Sequence, residues 1–377
     1  MNLDQVKTPA LILDRGVLQR NCVAMTARMR DHGVRLRPHL KTAKSARVAQ
    51  LATEGQFGGV TVSTLAEAAY FADNGFQDIT YAVGIVPAKL DAAAALQDRG
   101  VRLTLLTDNL AAARAVGEGA AARDRDFRLL IEIDTGGQRA GMDPQSDELL
   151  EIGRFIDGHP RLTLEGVLTH AGQSYHCDSI DGVKAVAAQE RAGVVGAAER
   201  LRAAGLPCPV VSAGSTPTAV HADSLDGVTE MRPGVYVFND LDQYALGSCA
   251  MDDIAVTVLA SVIGHNPRNR RILVDAGALA LSKDISASEF MSNVGYGLIS
   301  GAADTRPIDG LYVAEVHQEH GLIAAGAGTP PYDSFPVGTR VRILPNHSCM
   351  TAAAHDSYFV VDGGTEVVDR WDRVNGW

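Results

Sequence analysis

The feature that most restricts what this chain can fold into is an alternation. Over its first two-thirds, short β-rich runs are separated by Ala-rich stretches with apolar residues at helical spacing. The candidate strands are residues 35–40, 59–64, 79–84, 102–107, 128–134, 163–170, 209–213 and 227–237, eight in all. Between them, residues 64–74, 109–118, 146–156 and 183–204 combine strong helix formers with helical periodicity. Strands that alternate with helices pair in parallel, because a crossover helix returns the chain to the same end of the sheet. Eight such units predict an α/β fold in which a (β/α)8 TIM barrel closes on itself. An open doubly wound sheet is the alternative, and the count of eight and the absence of G-x-G-x-x-G after the first strand disfavour it.

Near residue 251 the pattern changes. Residues 254–264, 271–278, 310–319, 340–344 and 358–361 alternate or run apolar as strands do, and turn residues such as His265-Asn266-Pro267 separate them. This predicts a C-terminal all-β domain, so the expected division is a barrel over 15–250 and a β domain over 251–377. A strand at 10–13 precedes the barrel count, and residues 1–14 are expected to join the β domain. A length of 377 residues suits two domains, at roughly 100–200 residues each.

Composition excludes several partners. A net charge of -11 argues against nucleic acid and anionic membranes, although a local site can still be cationic. No apolar run of about 18 residues predicts a membrane span, and the first residues lack the pattern of a signal peptide. Five widely spaced cysteines without a C-x-x-C pair suit free thiols in a reducing compartment, so the expected location is cytoplasmic.

Active sites of such barrels lie at the C-terminal ends of the strands. The first strand runs into Arg37-Pro38-His39-Leu40-Lys41-Thr42, the second ends in Ser63-Thr64, and Gly136-Gly137-Gln138-Arg139 follows the fifth. The sixth ends in Thr169-His170, with Tyr175 close behind. The seventh carries Ser212 into Ala213-Gly214-Ser215-Thr216, and the eighth contains Arg232-Pro233-Gly234-Val235-Tyr236. The Gly-Ser-Thr turn either caps a helix or binds phosphate with its N–H groups and hydroxyls. Lys41 is either a solvated strand-end lysine or an amine in the barrel mouth able to form a Schiff base; Lys44 is assigned to solvent. In the β domain, His347-Ser348-Cys349 places two zinc-ligand types two residues apart, which an extended segment would project to one side. Two ligands suit a catalytic metal with open positions, and a chance His-x-Cys is the plainer alternative. His355, Glu319 and His320 are either nearby supporting groups or surface residues.

Taken together, several blocks resemble a known family. They are Thr8-Pro9-Ala10-Leu11, residues 35–42, Gly59-Val60-Thr61-Val62-Ser63-Thr64, residues 134–141, 168–172, 212–218 and 232–236, and Pro345-Asn346-His347-Ser348-Cys349. In this order they resemble the fold-type III pyridoxal-phosphate enzymes, in the branch of the D-serine dehydratases and D-threonine aldolases, across essentially the whole chain. The resemblance implies an alanine racemase-like barrel with a β domain and Lys41 as the residue that carries pyridoxal 5'-phosphate. It implies Gly214, Ser215, Thr216, Gly234 and Tyr236 at the phosphate, Arg139 near the cofactor ring, and His170, Tyr175 and Ser212 in the rest of the cofactor site. His347 and Cys349 would bind a divalent metal, zinc foremost, with manganese, cobalt or magnesium as alternatives. A homodimer is also implied, with the β domain of one subunit closing the other's site.

The expected reaction is elimination of water from a D-β-hydroxy amino acid, D-threo-3-hydroxyaspartate or D-serine, giving a 2-oxo acid and ammonia. The dehydratases of this branch carry His-x-Cys at the metal position and the aldolases tend to carry His-x-Asp, so Cys349 favours dehydration. The alternative is an aldolase that breaks Cα–Cβ to give glycine and an aldehyde or oxo acid. A racemase would need a second base, for which Tyr296 is the candidate, and a non-catalytic cofactor carrier would lack the β domain. An anionic β-substituent needs a cation, for which Arg37, Lys44 and Arg232 are candidates.

Overall fold

A computed structural model describes residues 1–137 and 139–377. Gln138, within the Gly136-to-Arg139 block, lies outside the described residues. The chain divides into two compact units: Ala24–Lys41, Ala49–Gly234 and Gly376–Trp377 form one, and Met1–Val23, Thr42–Val48 and Val235–Asn375 form the other. Strand β1 (Ala10–Asp14) belongs to the second.

The first unit holds β2 (Arg35–Leu36), β3 (Val60–Val62), β4 (Asp78–Gly84), β5 (Arg102–Thr107), β6 (Phe127–Ile133), β7 (Leu162–Thr169), β8 (Val210–Ala213) and β9 (Glu230–Met231). Helices α1 (Arg15–Asp31), α2 (Ala46–Ala52), α3 (Leu65–Asp73), α4 (Leu90–Asp98), α5 (Leu110–Arg123), α6 (Glu148–Gly158), α7 (Ile180–Ala203) and α8 (Thr216–His221) alternate with them along the chain. Every neighbouring pair is parallel, from β3 through β9 and on to β2. A parallel bridge between His39 and Thr61 closes the ring. There Leu40 N donates to Thr61 O (2.8 Å) and Thr61 N to Pro38 O (2.9 Å). The expected parallel eight-stranded, TIM-like architecture is present. Strands such as β6 and β7 are buried almost throughout, because helices cover one face and the barrel interior the other. Helix starts follow the capping residues: the Thr64, Asn109 and Ser179 side chains accept from Glu67 N, Ala112 N and Gly182 N.

Two expected strands are much shorter than their sequence patterns. Residues 227–237 give only Glu230–Met231, because Pro233 has no N–H to donate and Val235–Val237 closes into a 3-10 turn. Residues 35–40 give Arg35–Leu36 before Pro38 interrupts pairing, and His39 resumes it.

The second unit contains β10 (Val256–Asn266), β11 (Arg271–Val274), β12 (Gly297–Gly301), β13 (Pro307–Val316), β14 (Gly321–Ala325), β15 (Arg340–Pro345), β16 (Ser357–Val361) and β17 (Asp369–Asp372). The order β10-β11-β14-β13-β12-β15 returns to β10, so six antiparallel strands close into a ring. Beyond it, β1 pairs antiparallel with β10 and parallel with β16, and β17 forms the edge. Sequence patterning missed β12, β14 and β17: the first two begin and end in small residues, and the last is a polar edge. Buried Leu241, Ile254, Ala287, Val294 and Leu344 pack as one cluster of this unit. Among the described residues no helix is long and apolar enough to cross a membrane, and none of the five cysteines forms a disulfide.

Candidate active site

The barrel strands bring four of the expected residues into one electrostatic neighbourhood. His170 follows β7, and burial together with the charges of Lys41, Arg139 and Arg232 lowers its pKa to about 3, against a weak contact from Nδ1 to Gly214 O (3.4 Å). His39 is also held well below its usual value, by burial and then by Lys41, Arg232, His170 and Arg139. Both imidazoles are therefore neutral at neutral pH, in the field of three cations that carboxylates partly offset, Glu132 at Arg139 and Glu230, Glu190 and Glu132 at Arg232. Lys41 is exposed, in the turn after His39, with its N–H 3.4 Å from His39 Nδ1. The Tyr175 ring lies 6.3 Å from the His170 ring. Arg139 is exposed and reaches Glu132 at 3.7 Å.

Arg232 is buried. It donates to Ser212 Oγ (2.6 Å) and Thr169 O (2.5 Å), while its Nε finds no hydrogen-bond partner among the described residues. Burial lowers its pKa to about 10, against Glu230, Glu190 and Glu132. Ser212 in turn donates to Glu230 (2.7 Å), and Glu230 also accepts from Arg37 (2.9 Å). Arg37 is committed to Glu230 and Asp78, at 2.9 and 2.7 Å, and so is an internal ion-pair member rather than a ready anion binder.

The turn after β8 is built for close approach. Gly214 has φ +112°, and a Cβ there would lie 2.8 Å from Met231 Cε. Its N–H donates to Glu190 Oε1 (3.0 Å), which also accepts from Ala171 N (2.9 Å), so one carboxylate ties together the turns after β7 and β8. Ser215 caps α8 in a capping box with Thr218, and its hydroxyl meets Ser174 Oγ at 2.9 Å. Of the two readings of this turn, the cap is directly visible. The N–H groups of Gly214 and Ser215 both have internal partners, Glu190 and Thr218. An anionic cofactor nevertheless fits the surroundings. The buried guanidinium has an unmet N–H, and three cations converge on two neutral histidines.

In the β unit, His347 and Cys349 do meet, by a route other than the expected extended segment. His347 is the N-cap of a short helix, Ser348–Ala352, and Cys349 sits in its first turn. The imidazole makes no capping bond to the backbone of that turn and instead interacts with the Cys349 side chain. His347 Nδ1 lies 2.7 Å from Asp284 Oδ2. Burial opposes charge on the imidazole, but Asp284 and Cys349 outweigh it and raise its pKa to about 12; the same hydrogen bond lowers Asp284 to about 2. Thr42 Oγ1 is 3.1 Å from Cys349 Sγ, and Asp240 accepts from Ser348 N at 2.8 Å. Among the described residues no group of three or more His, Cys, Asp or Glu is arranged to hold an ion. The donor set is a two-ligand one, and its chemistry fits a divalent metal: a thiol beside an imidazole whose other nitrogen is held by a carboxylate.

Other candidates lie elsewhere in the two units. Tyr236 is buried in the β unit near Cys22, and burial pushes its phenol well above the usual value. Gly234 is the last residue of the long barrel segment. His355 binds Ala280 O (3.0 Å), and Glu319 and His320 are exposed in the β13–β14 connection. Tyr296 is half-buried, with its N–H on Val313 O. Sequence reasoning missed Glu190, Thr42, Asp240 and Asp284. Two of them left a local trace: Asp240 is an acidic N-cap directly before the helix Leu241–Ala245, and Asp284 stands two before Ser286 in an Asx turn.

Comparison with known proteins agrees with this geometry. The model of the alanine racemase N-terminal domain matches residues 13–242, and that of the putative serine dehydratase domain matches 255–361. D-threo-3-hydroxyaspartate dehydratase of Delftia sp. (strain HT23) is 46% identical over 98% of both chains. D-serine dehydratase of Dictyostelium discoideum is 30% identical over 100% of this chain and 98% of its own. D-threonine aldolase of Arthrobacter sp is more distant, at 28% over 98% and 93%. Among solved structures, two alanine variants of a D-threo-3-hydroxyaspartate dehydratase superpose with a TM-score of 0.96 at 45% identity. One replaces a histidine and covers 100% of this chain and 97% of its own; the other replaces a cysteine, is in the metal-free form, and covers 100% of both.

Proposed function

The chain belongs to the fold-type III pyridoxal-phosphate lyases, in the branch that unites the D-serine dehydratases and D-threonine aldolases, and we propose that it eliminates water from D-threo-3-hydroxyaspartate or a close D-β-hydroxy analogue. The products are a 2-oxo acid and ammonia. The observation that carries dehydration over aldol cleavage is the 46% identity to a D-threo-3-hydroxyaspartate dehydratase against 28–29% to two aldolases, with Cys349 two residues after His347. The related dehydratase whose cysteine variant is metal-free has its replaced histidine and cysteine two positions apart, as they are here.

Lys41 would hold pyridoxal phosphate through its side-chain amine, with Gly214, Ser215, Thr216, Gly234 and Tyr236 assigned to the phosphate. Arg139, His170, Tyr175 and Ser212 would line the remainder. The cofactor, when bound, supplies an electron sink for charge developing at Cα. Lys41 Nζ is the base assigned to the Cα proton. His39 and His170, kept neutral by burial and by neighbouring cations, add no positive charge of their own around Lys41. Arg232, anchored on Ser212 and Thr169, supplies a fixed cation. A divalent metal on His347 and Cys349, zinc by the softness of the thiolate, supplies Lewis acidity to the leaving β-hydroxyl. The released enamine hydrolyses in water.

Product analysis tests the reading. Cofactor- and zinc-loaded protein is incubated separately with D-threo-3-hydroxyaspartate, D-serine and D-threonine. Ammonia with a 2-oxo acid and no glycine is expected, with turnover of the hydroxyaspartate foremost. Glycine with glyoxylate or acetaldehyde would make the enzyme an aldolase. Assembly as a homodimer in a reducing, cytoplasmic compartment belongs to the same proposal; light scattering in solution checks the first part.

A further inference from the structure

We infer that Asp284 and Thr42 are positioning residues that set His347 and Cys349 for the metal, Asp284 by its 2.7 Å hydrogen bond to His347 Nδ1 and Thr42 by its hydroxyl 3.1 Å from Cys349 Sγ. The inference rests on the reading that His347 and Cys349 are metal ligands. An imidazole that ligates through one nitrogen needs the other fixed, and a carboxylate on that N–H sets both tautomer and ring orientation. Asp284 is itself fastened independently of His347. Its Oδ1 accepts from Ser286 N (2.9 Å), and its own N–H donates to Ser282 Oγ (3.1 Å). Ser282 takes φ +69°, which turns the chain so that the remaining oxygen, Oδ2, meets His347. The carboxylate is therefore in place before an ion arrives.

Thr42 acts on the other ligand. It is fully buried, at 0% exposure, so its hydroxyl cannot fall back on water. Once Cys349 is a thiolate it has no proton to give, and the Thr42 hydroxyl must be the donor. A donated hydrogen bond aims a sulfur lone pair and withdraws charge from it, which tunes how strongly it binds the ion. Thr42 is also the residue that follows Lys41 along the chain, so the group that steadies the metal ligand is one peptide bond from the lysine assigned to the cofactor. A purely structural Thr42 or an incidental Asp284 ion pair would leave zinc affinity unchanged.

Zinc affinity of the cofactor-loaded, chelator-stripped protein, measured by competition with a chromogenic chelator, is the test. Variants that sever either contact, Asp284→Ala and Thr42→Val, are expected to bind zinc about 10–100-fold more weakly. Thr42→Ser, which keeps the hydroxyl, is expected to stay near the parent, with Asp284→Asn between. Circular dichroism and retained cofactor absorbance establish folding in each case. Should Thr42→Val not fold, Thr42→Ala carries the same expectation. Parent-like affinity in both severed variants, with zinc binding abolished in His347→Ala, overturns the positioning roles and leaves the metal site standing. Unchanged binding in His347→Ala overturns the metal site itself and these roles with it.

Discussion

Replacing Glu190 should unfasten the two turns at the centre of the barrel site. Its Oε1 accepts from Ala171 N at 2.9 Å and Gly214 N at 3.0 Å, and the side chain is 2% exposed. Glu190→Ala leaves two N–H groups without a partner where water is scarce. Each such loss costs about 1–3 kcal/mol, so the variant should lose about 2–6 kcal/mol. Glu190→Gln retains an oxygen in the same place and should lose under about 1 kcal/mol. Urea unfolding with a shared m-value reads both. Burial raises the Glu190 carboxyl, against donation from Thr218, Ala171 and Gly214 and the charge of Arg232. A carboxyl raised in the fold favours the protonated form. Its stabilising contribution is complete below the unfolded pKa, about 4.3, and is lost as pH rises through the folded value. The stability of the parent relative to Glu190→Gln should therefore decline from pH 4 towards neutrality. An alanine variant within about 1 kcal/mol of the glutamine variant, or a parent that gains on Gln with rising pH, would refute this account.

Other perturbations follow from single contacts. Arg373 binds the carbonyls of Ala43, His355 and Ala352 from a buried position, so Arg373→Met should lower stability by about 2–5 kcal/mol, read as a fall in Cm. At Gly166, φ is +138° and a Cβ would lie 2.0 Å from Val210 O; Gly166→Ala should yield no soluble barrel, and normal expression would contradict the backbone placement. His170, with a pKa of about 3, should show no imidazole titration by NMR between pH 5 and 8, and a step near 6.5 would count against the cationic cluster. Chelator treatment should abolish dehydration and zinc should restore it, and full turnover in metal-free protein would remove the role given to His347 and Cys349.

Much of this architecture was legible in the linear chain because it rests on local periodicity. Eight β-rich runs alternating with helical stretches leave little but a parallel barrel, and the change of pattern after residue 250 announces an all-β region. Short polar or glycine-flanked strands carry no such signature, and so β12, β14 and β17 were invisible. The expected strand at 227–237 overran because periodicity does not register where Pro233 removes a donor. The candidate site was legible to the extent that its residues lie at strand ends or within two positions of each other, as Lys41, Gly214 and the His347–Cys349 pair do.

What joins those residues is long-range, and only the folded chain decides it. Closure of the barrel depends on His39 meeting Thr61. Glu190, midway along α7, reaches two turns 19 and 24 positions away. Asp284 meets His347 across 63 positions and Thr42 meets Cys349 across 307. No local pattern encodes such pairings, because each contact is fixed by how separate elements pack and not by the propensities of the residues that make it. By itself the sequence determined the types and order of the elements and the chemistry available at their ends. The tertiary structure decided which donor faces which acceptor, and with that the state of each group: burial and converging cations keep His170 neutral, while a carboxylate 2.7 Å away holds Nδ1 of His347.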